Sequence, residues 1–142
     1  MYRAFSMAVL LTVGLAGGSL AADASLDRQT VMKNVGAATG VGAKLAKGEM
    51  EFDPATAQLV FNTLNAAANG YGYMFGEGTE SGNDTEASPK IWEDRAGFDA
   101  AVAQFAADTN VKITDLASFQ AAFGAATKNC GTCHETYRIK KQ

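Results

Sequence analysis

Residues 116–137 read LASFQAAFGAATKNCGTCHETY, and the spacing of the apolar residues in this stretch decides the fold. A set of side chains recurs at alternating intervals of three and four positions, which places them on one face of an α-helix. They are Leu116, Phe119, Phe123, Ala126, Cys130, Cys133 and Tyr137. The pattern predicts a helix, beginning near Thr114, whose apolar stripe faces a protein core and includes both cysteines of the chain.

A second helix is predicted near the beginning of the chain, from Leu26 to Lys47. Ser25 is a suitable N-cap and Gly48 a suitable C-terminal stop. Three glycines inside this helix weaken it intrinsically, so we expect them to allow close approach of a neighbouring helix or a flat ligand. They are Gly36, Gly40 and Gly42.

Two more helices begin at Asp53-Pro54 and at Ser88-Pro89, each with a capping residue followed by a first-turn proline. The helix that begins at Asp53-Pro54 ends at Asn69-Gly70. A glycine-rich acidic connection over residues 70–88 separates it from the helix that begins at Ser88-Pro89. We expect the first part of this connection to fold onto the core and its acidic part to be solvated surface. Further apolar positions are predicted to be core: Leu59, Tyr73, Phe75, Trp92, Phe98 and Phe105.

Four amphipathic helices with mostly short connections predict an all-α protein, an antiparallel four-helix bundle of one domain. The third helix is predicted as one helix from Ser88-Pro89 with five residues on one face, namely Ile91, Arg95, Phe98, Val102 and Phe105. No internal repeat or second domain is evident.

The N-terminal residues have the pattern of a secretory signal peptide. Arg3 provides a positive start, residues 8–15 are apolar, and Ser19-Leu20-Ala21 provides small residues at the cleavage site. We therefore expect residues 1–21 to be cleaved, or residues 1–22 as a close alternative, leaving a domain of residues 22–142 exported to the periplasm. A retained membrane anchor is the weaker interpretation because the apolar run is short for a bilayer.

The charge balance argues against nucleic-acid binding. The chain has a net charge of −3, which becomes −4 when Arg3 is removed, whereas nucleic-acid binding favours a basic face. Basic residues cluster at the C-terminus, where their positive charge complements the dipole of a helix end. A docking patch for a redox partner is the alternative interpretation. The basic residues are Arg138, Lys140 and Lys141.

Cys130-Gly131-Thr132-Cys133-His134 has the C-x-x-C-H spacing of covalent haem attachment. On a helix, positions i, i+3 and i+4 face the same way, so both thiols reach the two vinyl groups on one porphyrin edge. The imidazole of His134 then lies beneath the ring and ligates the iron. Tyr137 continues the stripe one turn further, where contact with the haem is expected. One haem c, held between helices, is the predicted cofactor.

Three other uses of this motif fit less well. A redox-active dithiol opens a helix after a β-strand, whereas this motif ends a helix of an all-α chain. A structural zinc site needs about four ligands, more than two cysteines and one histidine provide. A disulfide between residues three apart on a helix is strained and closes almost no loop.

Several stretches together resemble the cytochrome c′ family, the class II c-type cytochromes, over essentially the whole mature chain. The most specific is CGTCHETYRIK at residues 130–140. The others are RQTVMK at residues 28–33, FGEGTE at residues 75–80 and PKIW at residues 89–92. The resemblance implies a four-helix bundle that holds a covalent haem.

The resemblance also implies roles for individual residues. Cys130 and Cys133 correspond to the thioether-forming cysteines and His134 to the proximal ligand. Arg28 corresponds to an arginine near a haem propionate, and Arg138 to an arginine beside the proximal histidine. The family position that faces the distal side of the iron is occupied by Met32, which shares a helical face with Arg28. A homodimer through the first two helices is a further expectation.

The sequence leaves two functions open. If the Met32 sulfur binds iron, the haem is six-coordinate and low-spin, and the protein transfers electrons to and from periplasmic redox partners. If Met32 only packs over the iron, the haem is five-coordinate and high-spin and binds nitric oxide or carbon monoxide. Met50 and Met74 are poorer ligand candidates. An enzymatic role is not expected because the chain has a single histidine, which leaves none for peroxide chemistry.

We predict that the exported protein begins at Ala22 or Asp23. The measurement is the intact mass of protein recovered from the periplasm, which should equal the shortened chain plus one haem. A periplasmic protein that still begins at Met1 contradicts the signal-peptide interpretation.

Overall fold

The structure, a computed structural model, describes residues 17–140 of the chain. Residues 1–16, most of the predicted signal peptide, lie outside the described residues. The α-helices are α1 (Gly17–Lys47), α2 (Pro54–Tyr71), α3 (Lys90–Glu93), α4 (Arg95–Thr109) and α5 (Leu116–Tyr137), and a 3-10 turn, Gly72–Met74, follows α2. No helix in this part of the chain is both long and apolar enough to cross a membrane.

Helix α1 extends further toward the N-terminus than predicted. Ser25, expected to cap the helix, lies inside it and is 1% exposed. The residues before it, LAADA, are strong helix formers and keep the backbone helical through this point. The predicted stop is confirmed, because Gly48 adopts a left-handed backbone with φ of 72° and the Glu49 amide donates to the Lys44 carbonyl.

The capping residues predicted for α2 are confirmed. The Asp53 side chain accepts hydrogen bonds from the amides of Ala55 and Thr56, and Pro54 is the first helical residue. The Thr56 hydroxyl also donates to Asp53, and this hydrogen bond, together with those from the amides, lowers the pKa of Asp53. The helix continues two residues beyond Asn69 to Tyr71 and then tightens into the 3-10 turn.

The predicted third helix is two helices, so the prediction of one unbroken helix is wrong. Asp94 leaves the helical conformation with φ of −125° and ψ of 59°, and its side chain accepts a hydrogen bond from the Gly97 amide. Because Asp94 caps α4, α3 ends one residue earlier at Glu93. Aspartate favours this arrangement since its side chain competes for backbone amides.

Helix α5 begins two residues after the predicted start. Asp115 is its N-cap, and its side chain accepts from the Ser118 amide at 2.8 Å. The Ser118 hydroxyl accepts in return from the Asp115 amide at 3.3 Å, which completes a capping box.

Four long helices form the bundle in a closed ring. Helix α1 packs against α2 and α5, and α4 packs against the same two helices. The predicted all-α four-helix bundle is thus confirmed. The interior has two apolar clusters. We call the first the helical cluster, and it includes Leu45, Phe61, Leu64, Phe119 and Phe123. We call the second the aromatic cluster, and its buried residues are Phe75, Ile91, Phe98 and Tyr137.

Three residues expected in the core are exposed. Leu59 is 63% exposed, Leu116 is 38% exposed, and Tyr73 is 88% exposed. Leu59 immediately precedes Val60 and Phe61, which occupy the buried face of α2, so the Leu59 side chain lies on the exposed face of this helix. Leu116 is the first residue of α5, and Tyr73 belongs to the 3-10 turn after α2. Both lie where the core stripe of a helix begins or ends.

One of the three glycines in α1 makes the close approach expected of them. A Cβ placed on Gly42 would overlap the ring of Phe123 on α5, whereas a Cβ on Gly36 or Gly40 would meet no atom within 4 Å. Gly42 therefore sets the distance between α1 and α5.

We predict opposite effects from alanine at two of these helical positions. Gly42→Ala should destabilise the protein by about 1 to 2 kcal/mol, because the strain of overpacking exceeds the gain in helix propensity. Gly40→Ala, the matched control, should stabilise it by up to about 1 kcal/mol. The measurement is thermal unfolding followed by circular dichroism. Equal stabilisation by both variants would show that Phe123 does not press against Gly42.

Candidate haem site

A cavity of about 810 Å³ lies inside the bundle and touches both apolar clusters. All four long helices contribute to its wall, as do residues 83–87 of the connection between α2 and α3. This volume is within the range of about 300–1,000 Å³ that is typical of ligand and cofactor sites. All seven candidate residues predicted from the sequence line it: Arg28, Met32, Cys130, Cys133, His134, Tyr137 and Arg138.

The two cysteines lie on the cavity-facing side of α5, where the stripe predicts them. Both are half-buried and both thiols are free. Burial raises the pKa of Cys130 and of Cys133, so both are neutral thiols at neutral pH. Cys133 also packs against the aromatic cluster. The structure thus presents two thiols to one cavity, one helical turn apart.

His134 follows in the same turn of α5. Partial burial lowers its pKa, the nearby positive charge of Arg138 lowers it further, and Glu86 acts in the opposite direction. The imidazole is therefore neutral at pH 7. A neutral imidazole has a nitrogen lone pair with which to bind a metal ion.

Met32 and Arg28 reach the cavity from α1, a neighbour of α5 in the bundle. They are four residues apart and share one helical face, as predicted. Met32 is half-buried and also packs against the helical cluster. The structure therefore brings a thioether and an imidazole to the walls of one cavity from two different helices.

Arg138 fastens the connection to the end of α5. Its guanidinium forms an ion pair with Glu86, with Nε donating to Oε2 at 2.6 Å. The Ile139 amide donates to the Glu86 carbonyl at 2.8 Å, and the Ser88 amide donates to the Tyr137 carbonyl at 3.0 Å. The acidic end of the connection, expected to be only solvated surface, is thus attached to α5 and lines the cavity.

Tyr137 is buried at the end of the stripe. Its ring packs edge-on against Phe98 with 5.3 Å between centroids, and its hydroxyl donates to Asp94 at 3.4 Å. The same Asp94 caps α4, so Tyr137 ties the end of α5 to the start of α4. Contact of Tyr137 with the cavity agrees with its position in the sequence stripe.

Sequence reasoning missed two parts of the wall. One is Tyr71, the last residue of α2, and the other is the segment Asn83–Thr85. Asn83 and Asp84 have positive φ of 43° and 50°, a conformation that Asn and Asp tolerate better than most residues. The run Gly82-Asn83-Asp84 could have predicted this turn, but not its place beside the cavity.

The residues of the cavity fit a haem. Two thiols at C-x-x-C spacing can form thioethers, and a neutral imidazole one position later can ligate iron. Arg28, which is 3% exposed, provides a buried positive charge toward the carboxylates of a porphyrin. A bundle of four helices that encloses such a cavity is the architecture of a haem-carrying helical protein.

Comparison with known proteins gives the same class. The model of the family described as Cytochrome C′ matches residues 23–138. A curated relative, cytochrome c-556 from Agrobacterium tumefaciens (strain B2A), is 37% identical over 118 residues, covering 80% of this chain and 95% of the relative.

Solved structures of similar proteins share the fold. Cytochrome c′ from Rhodopseudomonas palustris superposes with a TM-score of 0.79 at 36% identity, covering 84% of this chain and 98% of that one. A nitric oxide complex of a mutant cytochrome c prime from Alcaligenes xylosoxidans gives a TM-score of 0.68 at 29% identity, covering 84% and 95%. The chain belongs to the cytochrome c′ family, and its cofactor is a covalently attached haem c with iron.

We predict that haem stays with the protein in acidified organic solvent, because thioether bonds to Cys130 and Cys133 survive denaturation. Cys130→Ala and Cys133→Ala should each yield less holoprotein, with one thioether at most. Thr132→Ala is the matched control, because Thr132 is exposed and lies between the two cysteines. This variant should retain haem as the wild type does. The readout is haem absorbance in the protein and solvent fractions. Clean extraction of haem from the wild type would contradict the attachment.

Proposed function

We propose that this protein is a periplasmic electron carrier whose haem is attached through Cys130 and Cys133 and ligated by His134 and Met32. The observation that carries the proposal is that one cavity receives His134 and both cysteines from α5 and Met32 from α1. A haem attached to α5 would have its proximal face toward His134. Met32 comes from α1, a different helix that lines the same cavity.

The haem iron supplies the reversible one-electron change, and the protein fixes its surroundings. The thiols of Cys130 and Cys133 anchor the group, and the neutral imidazole of His134 ligates without first losing a proton. A thioether sulfur from Met32 favours the ferrous state and raises the reduction potential. If His134 and Met32 both bound the iron, little rearrangement would accompany electron transfer.

The apolar part of the wall would exclude water from the part of a bound haem that it covers. It is formed by small and aromatic side chains of α1, α2 and α4 that pack with the two clusters. They include Val35, Ala67, Phe98, Val102 and Phe105. A dry site limits solvent reorganisation and makes the electrostatic effect of nearby charges on the potential stronger.

A second function, binding of nitric oxide or carbon monoxide, is favoured by one specific observation. A structural relative is a nitric oxide complex of a cytochrome c prime. In this alternative Met32 packs in the cavity without binding iron, which suits a flexible side chain that also contacts the helical cluster. The coordination of Met32 therefore separates the two functions.

The remaining parts of the proposal concern location and partners. Export through a cleaved signal peptide would deliver the chain to the periplasm, where its partners would be redox proteins. A homodimer through α1 and α2 is supported by the exposed apolar side chains of Leu26 on α1 and Leu59 on α2. An enzymatic role is not proposed because the single histidine of the chain is assigned to iron.

We predict that Met32→Ala opens the site. If Met32 ligates iron, the ferric wild type should be low-spin with a weak near-infrared sulfur-to-iron charge-transfer band. The variant should lose that band, become high-spin and have a lower reduction potential, because the thioether favours ferrous iron. Spectroscopy in the visible and near infrared, with redox titration, measures both effects.

Met50→Ala is the matched control for this substitution. Met50 is 37% exposed and does not line the cavity, so its loss should leave spectrum and potential unchanged. A high-spin spectrum of the untouched protein at neutral pH would contradict ligation by Met32 and favour gas binding.

A further inference from the structure

Arg28 places a positive charge in the cavity wall without a matching negative charge. Its side chain donates to the Met74 carbonyl at 3.0 Å and to the Thr85 hydroxyl at 3.3 Å, and both acceptors are neutral. Within residues 17–140, no carboxylate forms an ion pair with it, and Glu80 acts only through a longer-range interaction. A buried cation is costly unless it is paired, so this end of the cavity suits an anion.

Tyr71 lies beside Arg28 because both contact the same ring. The Arg28 guanidinium is 4.8 Å from the centroid of Phe75, and the Tyr71 ring meets Phe75 edge-on at 5.0 Å between centroids. Both residues line the cavity. The two groups are also close enough to interact electrostatically, since the positive charge of Arg28 opposes the effect of burial on the pKa of Tyr71.

The Tyr71 hydroxyl is a donor without an acceptor. It forms no hydrogen bond with any residue that the structure describes, and it is accessible from the cavity, because no fully buried side-chain donor in that part of the chain lacks a partner. Burial raises the pKa of Tyr71 to about 12, so the hydroxyl keeps its proton at every physiological pH. An unused donor beside an unpaired cation, in one cavity wall, marks a place for a carboxylate.

We propose that the Tyr71 hydroxyl donates a hydrogen bond to a haem carboxylate, at the end of the cavity where the resemblance already assigns Arg28 to such a group. This inference rests on the proposed function and adds to it a residue that helps to hold the haem and adjust its potential. No bond is made or broken in this interaction, and the proton stays on the phenol oxygen.

The hydrogen bond has a consequence for how the potential depends on pH. A donor stabilises the ionised carboxylate and lowers its pKa. An ionised carboxylate stabilises ferric haem, so the reduction potential falls as pH rises through the carboxylate pKa. Removal of the donor should move this step to higher pH. It should also lower the potential on the alkaline side, where the carboxylate charge is then less compensated.

The test is Tyr71→Phe in the holoprotein, which removes the hydroxyl and keeps the ring that packs on Phe75. A redox titration at a series of pH values should show the step shifted upward by about one pH unit, the size expected for a charged hydrogen bond. Tyr73→Phe is the matched control, because Tyr73 is two residues away, 88% exposed and outside the cavity. Its titration should match the wild type.

An unshifted step in Tyr71→Phe that retains its haem would overturn the role of Tyr71 and leave the haem assignment standing. Absence of haem from the wild-type protein would instead contradict the proposed function itself. If Tyr71→Phe does not mature, infrared difference spectra of wild-type protein with isotope-labelled tyrosine decide the question. A redox-dependent tyrosine band that persists in both Tyr73→Phe and Tyr137→Phe supports the proposal, and the absence of such a band overturns it.

Discussion

The core-facing stripe of α5 changes from aromatic side chains to thiols as it passes along the helix, and the architecture of the bundle depends on this change. Phe119 and Phe123 fill the interior at one end, where Gly42 lets α1 come close. Two turns later Cys130 and Cys133 continue the same face with much smaller side chains. The bundle cannot close there by side-chain packing alone, and the cavity of about 810 Å³ occupies this part of the interior.

The long connection between α2 and α3 completes the cavity and gives it polarity. Thr85 and the Met74 carbonyl hold Arg28, and Glu86 pairs with Arg138 at the end of α5. The apolar wall therefore comes from the helices, whereas several of the charged and hydroxyl groups are held in place by the connection. Such a division suits an amphiphilic group such as haem, which has a hydrophobic ring and two carboxylates.

The sequence predicted the parts of this arrangement that follow from local periodicity. The stripe of α5 predicted the positions of Cys130, Cys133 and Tyr137 on a common face. The resemblance to known cytochromes assigned Arg28 to a haem propionate and Met32 to the distal side of the iron. The break at Asp94 was missed because a helix-compatible apolar pattern continues through it. Tyr71 was missed because its relation to Arg28 depends on both packing against Phe75, a contact between distant parts of the chain. Helical spacing carries no such information.

Addition of carbon monoxide to the reduced wild-type protein tests the central claim, a haem closed by two protein ligands, most directly. The absorption spectrum is recorded before and after addition at neutral pH. The account predicts a low-spin spectrum that carbon monoxide leaves essentially unchanged on the timescale of mixing, because His134 and Met32 occupy both axial positions. An immediate change to a carbon monoxide complex would contradict it and show an open iron site.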